Sequence, residues 1–230
     1  MKRCRPFFVA CSCAAVVAVG CATISIKQYF VLNYQPQDMA RRISPMAYPF
    51  TVRLKEFDIE DAYSRPQLVY RQSPFQLEYY SYKLWAVKPG RMLTDLVQKH
   101  LVSVGLVSHI VRRLDEGLKP DYEIAGSIES LEEYDSEKIW FAHIALWLRL
   151  TRLSDGKTLY ARHFDKRKRV FSNEPQDVVK AMSEIMEYVM NQACIDMDGI
   201  LARELGVSRA TGAADSVLID TSQTGIENAQ

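Results

Sequence analysis

Residues 140–171 constrain the fold most, because they spell out a long hairpin by simple alternation. Trp140, Ala142, Ile144, Leu146, Leu148 and Leu150 fall on one side of an extended chain, with Phe141, His143, Ala145, Trp147 and Arg149 on the other. The first side must be core. Ser154-Asp155-Gly156-Lys157 supplies an Asp-Gly turn, which returns residues 158–171 antiparallel to the first arm. Counting outward from that turn sets His143 near Lys168 and His163 near Leu148. A chain built around such a hairpin is committed to a sheet with one buried face.

The remaining elements follow the same two periods. Residues 27–32 form a short strand candidate, and Phe50, Val52 and Leu54 alternate with Thr51, Arg53 and Lys55. Residues 68–71 and 75–82 are further strands around a Gln72-Ser73-Pro74 turn. Lys88-Pro89-Gly90 ends the strand signal. Met92, Leu93, Leu96, Val97, Leu101 and Val104 then recur at helical spacing up to Gly105, a natural helix-terminating glycine. Strands return over 106–112 and 122–129, the latter apolar on one face and acidic on the other. Asn173 and Pro175 open a long helix carrying Val178, Met182, Ile185, Val189, Ala193, Met197 and Ile200, ending near Gly206. Hairpins dominate the order, so the expected class is α+β: a mainly antiparallel sheet with two principal helices packed on one face. The opposite face is then partly open.

The first residues point to export. Lys2, Arg3 and Arg5 precede an apolar run, and Ala18-Val19-Gly20 brings small side chains up to Cys21. That is the arrangement of a bacterial lipoprotein signal, in which the Cys21 thiol takes acyl chains and residues 1–20 are removed. An uncleaved signal anchor and an ordinary cleaved signal are the alternatives, since residues 7–26 carry no charge and come close to spanning length. Residues 21–45 then form anchor and tether with a short strand, 46–206 one α+β domain, and 207–230 a disordered tail without aromatics. Removal of the signal takes Lys2, Arg3 and Arg5 out of a chain with 29 basic and 28 acidic residues, leaving a net charge of about −2. Nothing in that balance suggests nucleic acid. Of five cysteines only Cys194 is left as a free thiol in the mature chain, and its apolar neighbours place it inside a helix interface.

No catalytic constellation is present. Gly-x-Ser-x-Gly and the Gly-rich phosphate loops are missing, and the four histidines, His100, His109, His143 and His163, have no Cys or carboxylate spacing that completes a zinc set. Neither metal nor cofactor is expected. Glu132-Glu133 and Asp58-Glu60-Asp61 read as solvated loops. The run Lys166-Arg167-Lys168-Arg169 reads as a strand end beyond the core, with anionic headgroups or an acidic partner as the sharper alternative. Met182, Met186, Met190 and Met197 read as core packing, against an adaptable groove for lipid or partner. Phe141 and Trp147 beside His143 and Arg149 are large aromatics on an otherwise polar sheet face, the pattern of a surface covered by another subunit or by a loop of the same chain.

Several segments together resemble a known family. Tyr29-Phe30-Val31-Leu32, Gln67-Leu68-Val69-Tyr70-Arg71, Glu78-Tyr79-Tyr80 through Trp85 and Pro89, and Asp121-Tyr122-Glu123-Ile124-Ala125-Gly126 are similar, in order and spacing, to the ABC-type transport auxiliary lipoprotein family. The resemblance covers residues 29–201. It implies a non-enzymatic lipoprotein on the periplasmic face of the outer membrane, partnered with an MCE-domain protein and an ABC transporter that moves lipids or other hydrophobic molecules. Ala22, in place of the Asp that commonly retains lipoproteins in the inner membrane, favours the outer one. Tyr70, Arg71 and Trp85 match family positions and are expected to form the fold first and an interface second; association with further copies is a further partner expectation. Ala18, where Leu is usual, and the polar tail depart from the family pattern. A carrier lipoprotein with its own apolar pocket and a periplasmic hydrolase are the competing classes.

Overall fold

One strand organises the molecule. In the computed structural model, which describes residues 26–36, 46–113, 117–136, 139–172 and 174–206, this strand is β7 (Tyr122–Ser136). Along one edge it pairs antiparallel with β8 (Ile139–Arg152) over its whole length. Along the other it meets β2 (Tyr48–Leu54), β3 (Asp58–Ile59) and β4 (Gln67–Ser73) in succession, all parallel to it. β1 (Gln28–Phe30) lies parallel on β5 (Gln76–Trp85), which is antiparallel to β4, and β6 (Val107–Val111) lies parallel on β2. β9 (Thr158–Val170) pairs with β8 at the far edge. The sheet is therefore mixed. Its long ladders, β7–β8 and β8–β9, are antiparallel as expected, while the shorter pairings on the other flank are mostly parallel.

The helices are α1 (Pro89–Val104) and α2 (Pro175–Glu204). Each begins on a proline, whose missing N–H costs nothing in the first turn. α1 ends at Gly105, which adopts a left-handed φ of 62° and donates its N–H to Val102 O. Both pack on the sheet face carrying Ala142, Ile144, Leu146, Leu148 and Leu150, all buried in one core cluster with Phe164, Leu93 and Met182. Met186, Met190 and Met197 are buried there too, so the sulfur-rich flank of α2 is core packing. Cys194 is buried on the same helix, and burial pushes its thiol up to about 12. It should resist Ellman's reagent in the folded protein and react at once in denaturant; rapid labelling of native protein would contradict this burial.

The β8–β9 register differs by one residue from the count on the turn. His143 faces Arg167 and Trp147 faces His163. The loop is longer than an Asp-Gly pair: Arg152 N–H bonds Lys157 O, Gly156 takes a φ of 71°, and an irregularity between Leu150 and Thr151 shifts every later pair.

Of the segment before residue 46, residues 28–34 are built into the domain. β1 is part of the sheet, Leu32 is buried, Asn33 N–H donates to Ser183 Oγ at 3.1 Å, and Tyr34 Oη meets His100 Nδ1 at 3.1 Å. Residues 31–34 thus strap α1 to α2. His100 itself is fully buried, and burial pulls its pKa down to about 4. A depressed base contributes stability that is present above its unfolded value and is lost as pH falls from roughly 6.5 toward 4. Unfolding free energy should drop by about 2 kcal/mol across that window, and His100→Phe should flatten the slope measured by urea melts. An unchanged slope in the variant would remove His100 as its cause. The proposed signal, Cys21, Asn173 and the proposed tail lie outside the described residues.

Candidate docking face

On the sheet face away from the helices, alternation and register bring the sequence-selected residues into rows. Arg71, Tyr134, Phe141 and Arg169 stand side by side on β4, β7, β8 and β9. A second row is Glu132, His143 and Arg167, and a third is Ser127, Trp147 and His163. Arg149 stands next along β8, exposed between Ala125 and Ala161. Four of the six candidate partner-binding residues, Arg71, Phe141, Trp147 and Arg149, therefore share this face. Tyr70 points to the opposite face, against Tyr80 at 4.6 Å and bonded to Glu78. Trp85 is buried in the core cluster, its backbone N–H held by Pro66 O at 2.6 Å.

The middle of the face is built on a buried carboxylate. Glu132 is only 2% exposed. Arg71 Nε donates to it at 2.9 Å, Tyr63 Oη at 2.6 Å, and His143 Nδ1 lies 3.1 Å away. The second His143 nitrogen faces Asp165 Oδ1 at 3.0 Å, and Arg71 Nη2 donates onward to Tyr63 Oη at 3.0 Å. Burial alone would raise the Glu132 carboxyl, but hydrogen bonds from His143, Tyr63 and Arg71 outweigh it and hold the group below the usual carboxylate range. Its neighbour Glu133 projects to the other face. There burial dominates and raises its carboxyl, only partly offset by Tyr80 and Lys83. Adjacent glutamates are thus set apart by their surroundings.

Around that centre the surface is aromatic and charged. Trp147, 39% exposed, donates its indole N–H to Glu129 Oε1 at 2.9 Å, while His163 Nε2 meets Glu129 Oε2 at 2.8 Å and the two rings lie 4.9 Å apart. Arg167 lies over the Tyr134 ring at 5.1 Å. The basic run is split by alternation: Arg167 and Arg169 join this face, whereas Lys168 pairs with Glu184 and Lys166 covers Tyr188 on α2. No nucleophile–base pair faces a cleft here, and no group of three metal-ligating side chains converges among the described residues. What the arrangement offers is a rigid platform with a protruding tryptophan.

Sequence reasoning missed the carboxylate at its centre. Glu132 and Glu133 are strand residues in the interior of β7, not loop residues, and both are buried. The irregularity between Ile128 and Ser130 shifts the alternation by one residue, so that Leu131 returns to the core and a reading of strict alternation loses the strand after Glu129.

Comparison with known proteins agrees with this architecture. A crystal structure from Xanthomonas campestris has a TM-score of 0.65 at 17% identity, covering 78% of this chain and 99% of that one. A crystal structure of an uncharacterized protein has a TM-score of 0.51 at 15% identity, covering 78% and 99%. A PelC dodecamer from Paraburkholderia phytofirmans is more distant, with a TM-score of 0.43 at 9% identity over 68% of this chain and 92% of that one. No curated protein matches the chain. The model of a family described as the ABC-type transport auxiliary lipoprotein component matches residues 30–193, from β1 through the strap, the whole sheet and most of α2. The chain belongs to the ABC-type transport auxiliary lipoprotein component family.

Proposed function

We propose that the protein is a lipid-anchored, non-catalytic docking module of an ABC-type transport system that carries lipids or other hydrophobic molecules between the inner and outer membranes. Acylation at Cys21 holds it to the periplasmic face of the outer membrane, and the open face around Trp147 and Arg149 receives an MCE-domain protein. One observation carries this reading: a large, partly exposed tryptophan, its indole held by Glu129, stands beside Arg149 on the hydrogen-bonded face that also carries Phe141 and Arg167. Tryptophan and arginine on a pre-organised surface are the side chains that dominate binding energies at protein interfaces. Tethering raises the effective concentration of such a face near its partner, so modest contacts suffice. Arg71, held by the buried Glu132, is part of the same face.

A carrier with its own apolar pocket has less support. The core cluster packs between sheet and helices, and three clefts among the described residues, of about 300 to 450 Å³, open to the surface.

Photo-crosslinkers placed at Trp147 and Arg149 in intact cells should capture the MCE component, while one at Ser154, beyond the end of β8, should not. Recovery of unrelated proteins alone, or equal capture from Ser154, would defeat the docking face. Cys21→Ser should accumulate as unprocessed precursor, and normal maturation of that variant would remove the anchor.

A further inference from the structure

The end of the sheet at which β4, β7 and β9 finish carries two phenylalanines that nothing among the described residues covers. Phe75, in the β4–β5 turn, is 99% exposed, and Phe171, the residue after β9, is 84% exposed. Register places them on one rim. Ser73 pairs with Gln76 at the turn, Ser136 with Ile139 at the β7–β8 hairpin, and Trp140 with Val170. Strands spaced by ~4.8 Å set the two rings roughly 15 Å apart, with Ile139, 37% exposed, on the same rim. Cations stand behind Phe171: Arg169 lies over its ring at 5.0 Å, and Lys180 lines the same cleft, where Asp177 is already bonded to Ser172.

The direction of the amino-terminal segment matters here. β1 runs parallel to β5, so the chain enters β1 from the side on which β5 begins, which is that of the Phe75 rim. Gln28 stands level with Lys83, seven residues from Gln76, or roughly 24 Å along the strand. Cys21 precedes Gln28 by seven residues, and that length of chain spans at most roughly 25 Å. A lipid attached at Cys21 therefore has just enough chain to reach the plane of the rim, and not enough to hold the domain far from the bilayer.

We propose that the Phe75–Phe171 rim is a second membrane contact, its two rings seated among the upper acyl methylenes and Arg169 and Lys180 at the phosphate level of an anionic bilayer. Its orientation rests on the anchor at Cys21. The rim matches the chemistry of an interfacial lipid surface, aromatic side chains entering the apolar layer with cations drawn to headgroups. It also fixes the fold upright, leaving the Trp147 face lateral and free.

The test uses the processed full-length protein with Phe75→Cys, Phe171→Cys or Ser154→Cys labelled by an environment-sensitive fluorophore, since Cys194 is buried and does not compete. Vesicles of phosphatidylethanolamine and phosphatidylglycerol are the probe. The labels at 75 and 171 should shift to the blue and be quenched by spin-labelled lipid, while the label at 154 stays aqueous and open to iodide. Vesicles of phosphatidylcholine alone should give a smaller shift. Labels at 75 and 171 that behave like the one at 154 on protein that floats with the vesicles would overturn the contact and leave the anchor standing. Protein that mass spectrometry finds without acyl chains would refute the anchor, and the same labels on Cys21→Ser protein lacking residues 1–20, read against added vesicles, would still decide the contact. Protection of the labels only when another protein is added would assign the rim to that protein instead.

Discussion

Replacing Arg71 by Ala should cost about 2 to 4 kcal/mol of stability, read as a lower urea midpoint at unchanged slope. The reason is the company it leaves behind. Glu132 is 2% exposed, and Arg71 Nε reaches both of its oxygens at 2.9 Å, so removal strands a buried carboxylate on Tyr63 and His143 alone. The expected loss sits below the upper range for broken buried pairs because Arg71 is itself 23% exposed and the two other donors remain. Arg71→Lys should recover only part, since one ammonium cannot serve Glu132, Tyr63 and the Pro74 carbonyl together. The double change Arg71→Met with Glu132→Met should lose less than the two single changes summed, because it leaves neither group unpaired. The sign with pH is fixed. Glu132 is depressed in the fold, so its contribution is full above the unfolded carboxylate value of roughly 4.3 and disappears as pH falls through the lower folded value. In Arg71→Ala that loss should begin at higher pH. A variant as stable as the parent, with the same acid profile, would mean that the arginine is a surface residue and the platform beneath Trp147 rests on something else.

How far the sequence alone carries is visible in particular residues. The Trp140 alternation and the Asp155-Gly156 turn suffice for the β8–β9 hairpin, and the helical spacings suffice for α1 and α2, because each is a local pattern whose period is written in neighbouring side chains. The face shared by Phe141, Trp147 and Arg149 was legible for the same reason. The parallel pairing of β2, β3 and β4 along β7 was not. Their register with β7 depends on the excursions at residues 55–57 and 60–66, which no periodicity records. The buried role of Glu132 was hidden too, because Tyr63, Arg71 and His143 arrive from three separate segments. An acidic pair reads as solvated until its donors are placed. Likewise Asn33 and Tyr34 look like tether residues until Ser183 and His100 are seen beside them.

Gly126→Ala should destabilise the fold by about 2 to 3 kcal/mol, and Gly126→Val by more, although the backbone there takes no left-handed conformation. Space is the whole argument. A Cβ on Gly126 would meet three carbons of the Phe57 ring at 2.4 to 2.6 Å, closer than non-bonded carbons approach. The ring cannot simply swing aside. Phe57 is 3% exposed, its N–H donates to Thr94 Oγ1 at 2.9 Å, and its carbonyl lies 2.9 Å from where a Cβ of Gly90 would stand. Phe57 is thus clamped between the start of α1 and the middle of β7, and it fixes the crossing from β2 to β3 that lets both strands follow β7. Trimming the ring should relieve the clash: Phe57→Leu combined with Gly126→Ala should cost less than the two single changes added, whereas distant sites would add. Gly199 offers the opposite sign in the same protein. Its Cβ would meet nothing within 4 Å on α2, so Gly199→Ala should stabilise by roughly 0.5 to 1 kcal/mol through helix propensity. Equal effects at the two glycines would show that the Phe57 contact is not what excludes a side chain at position 126.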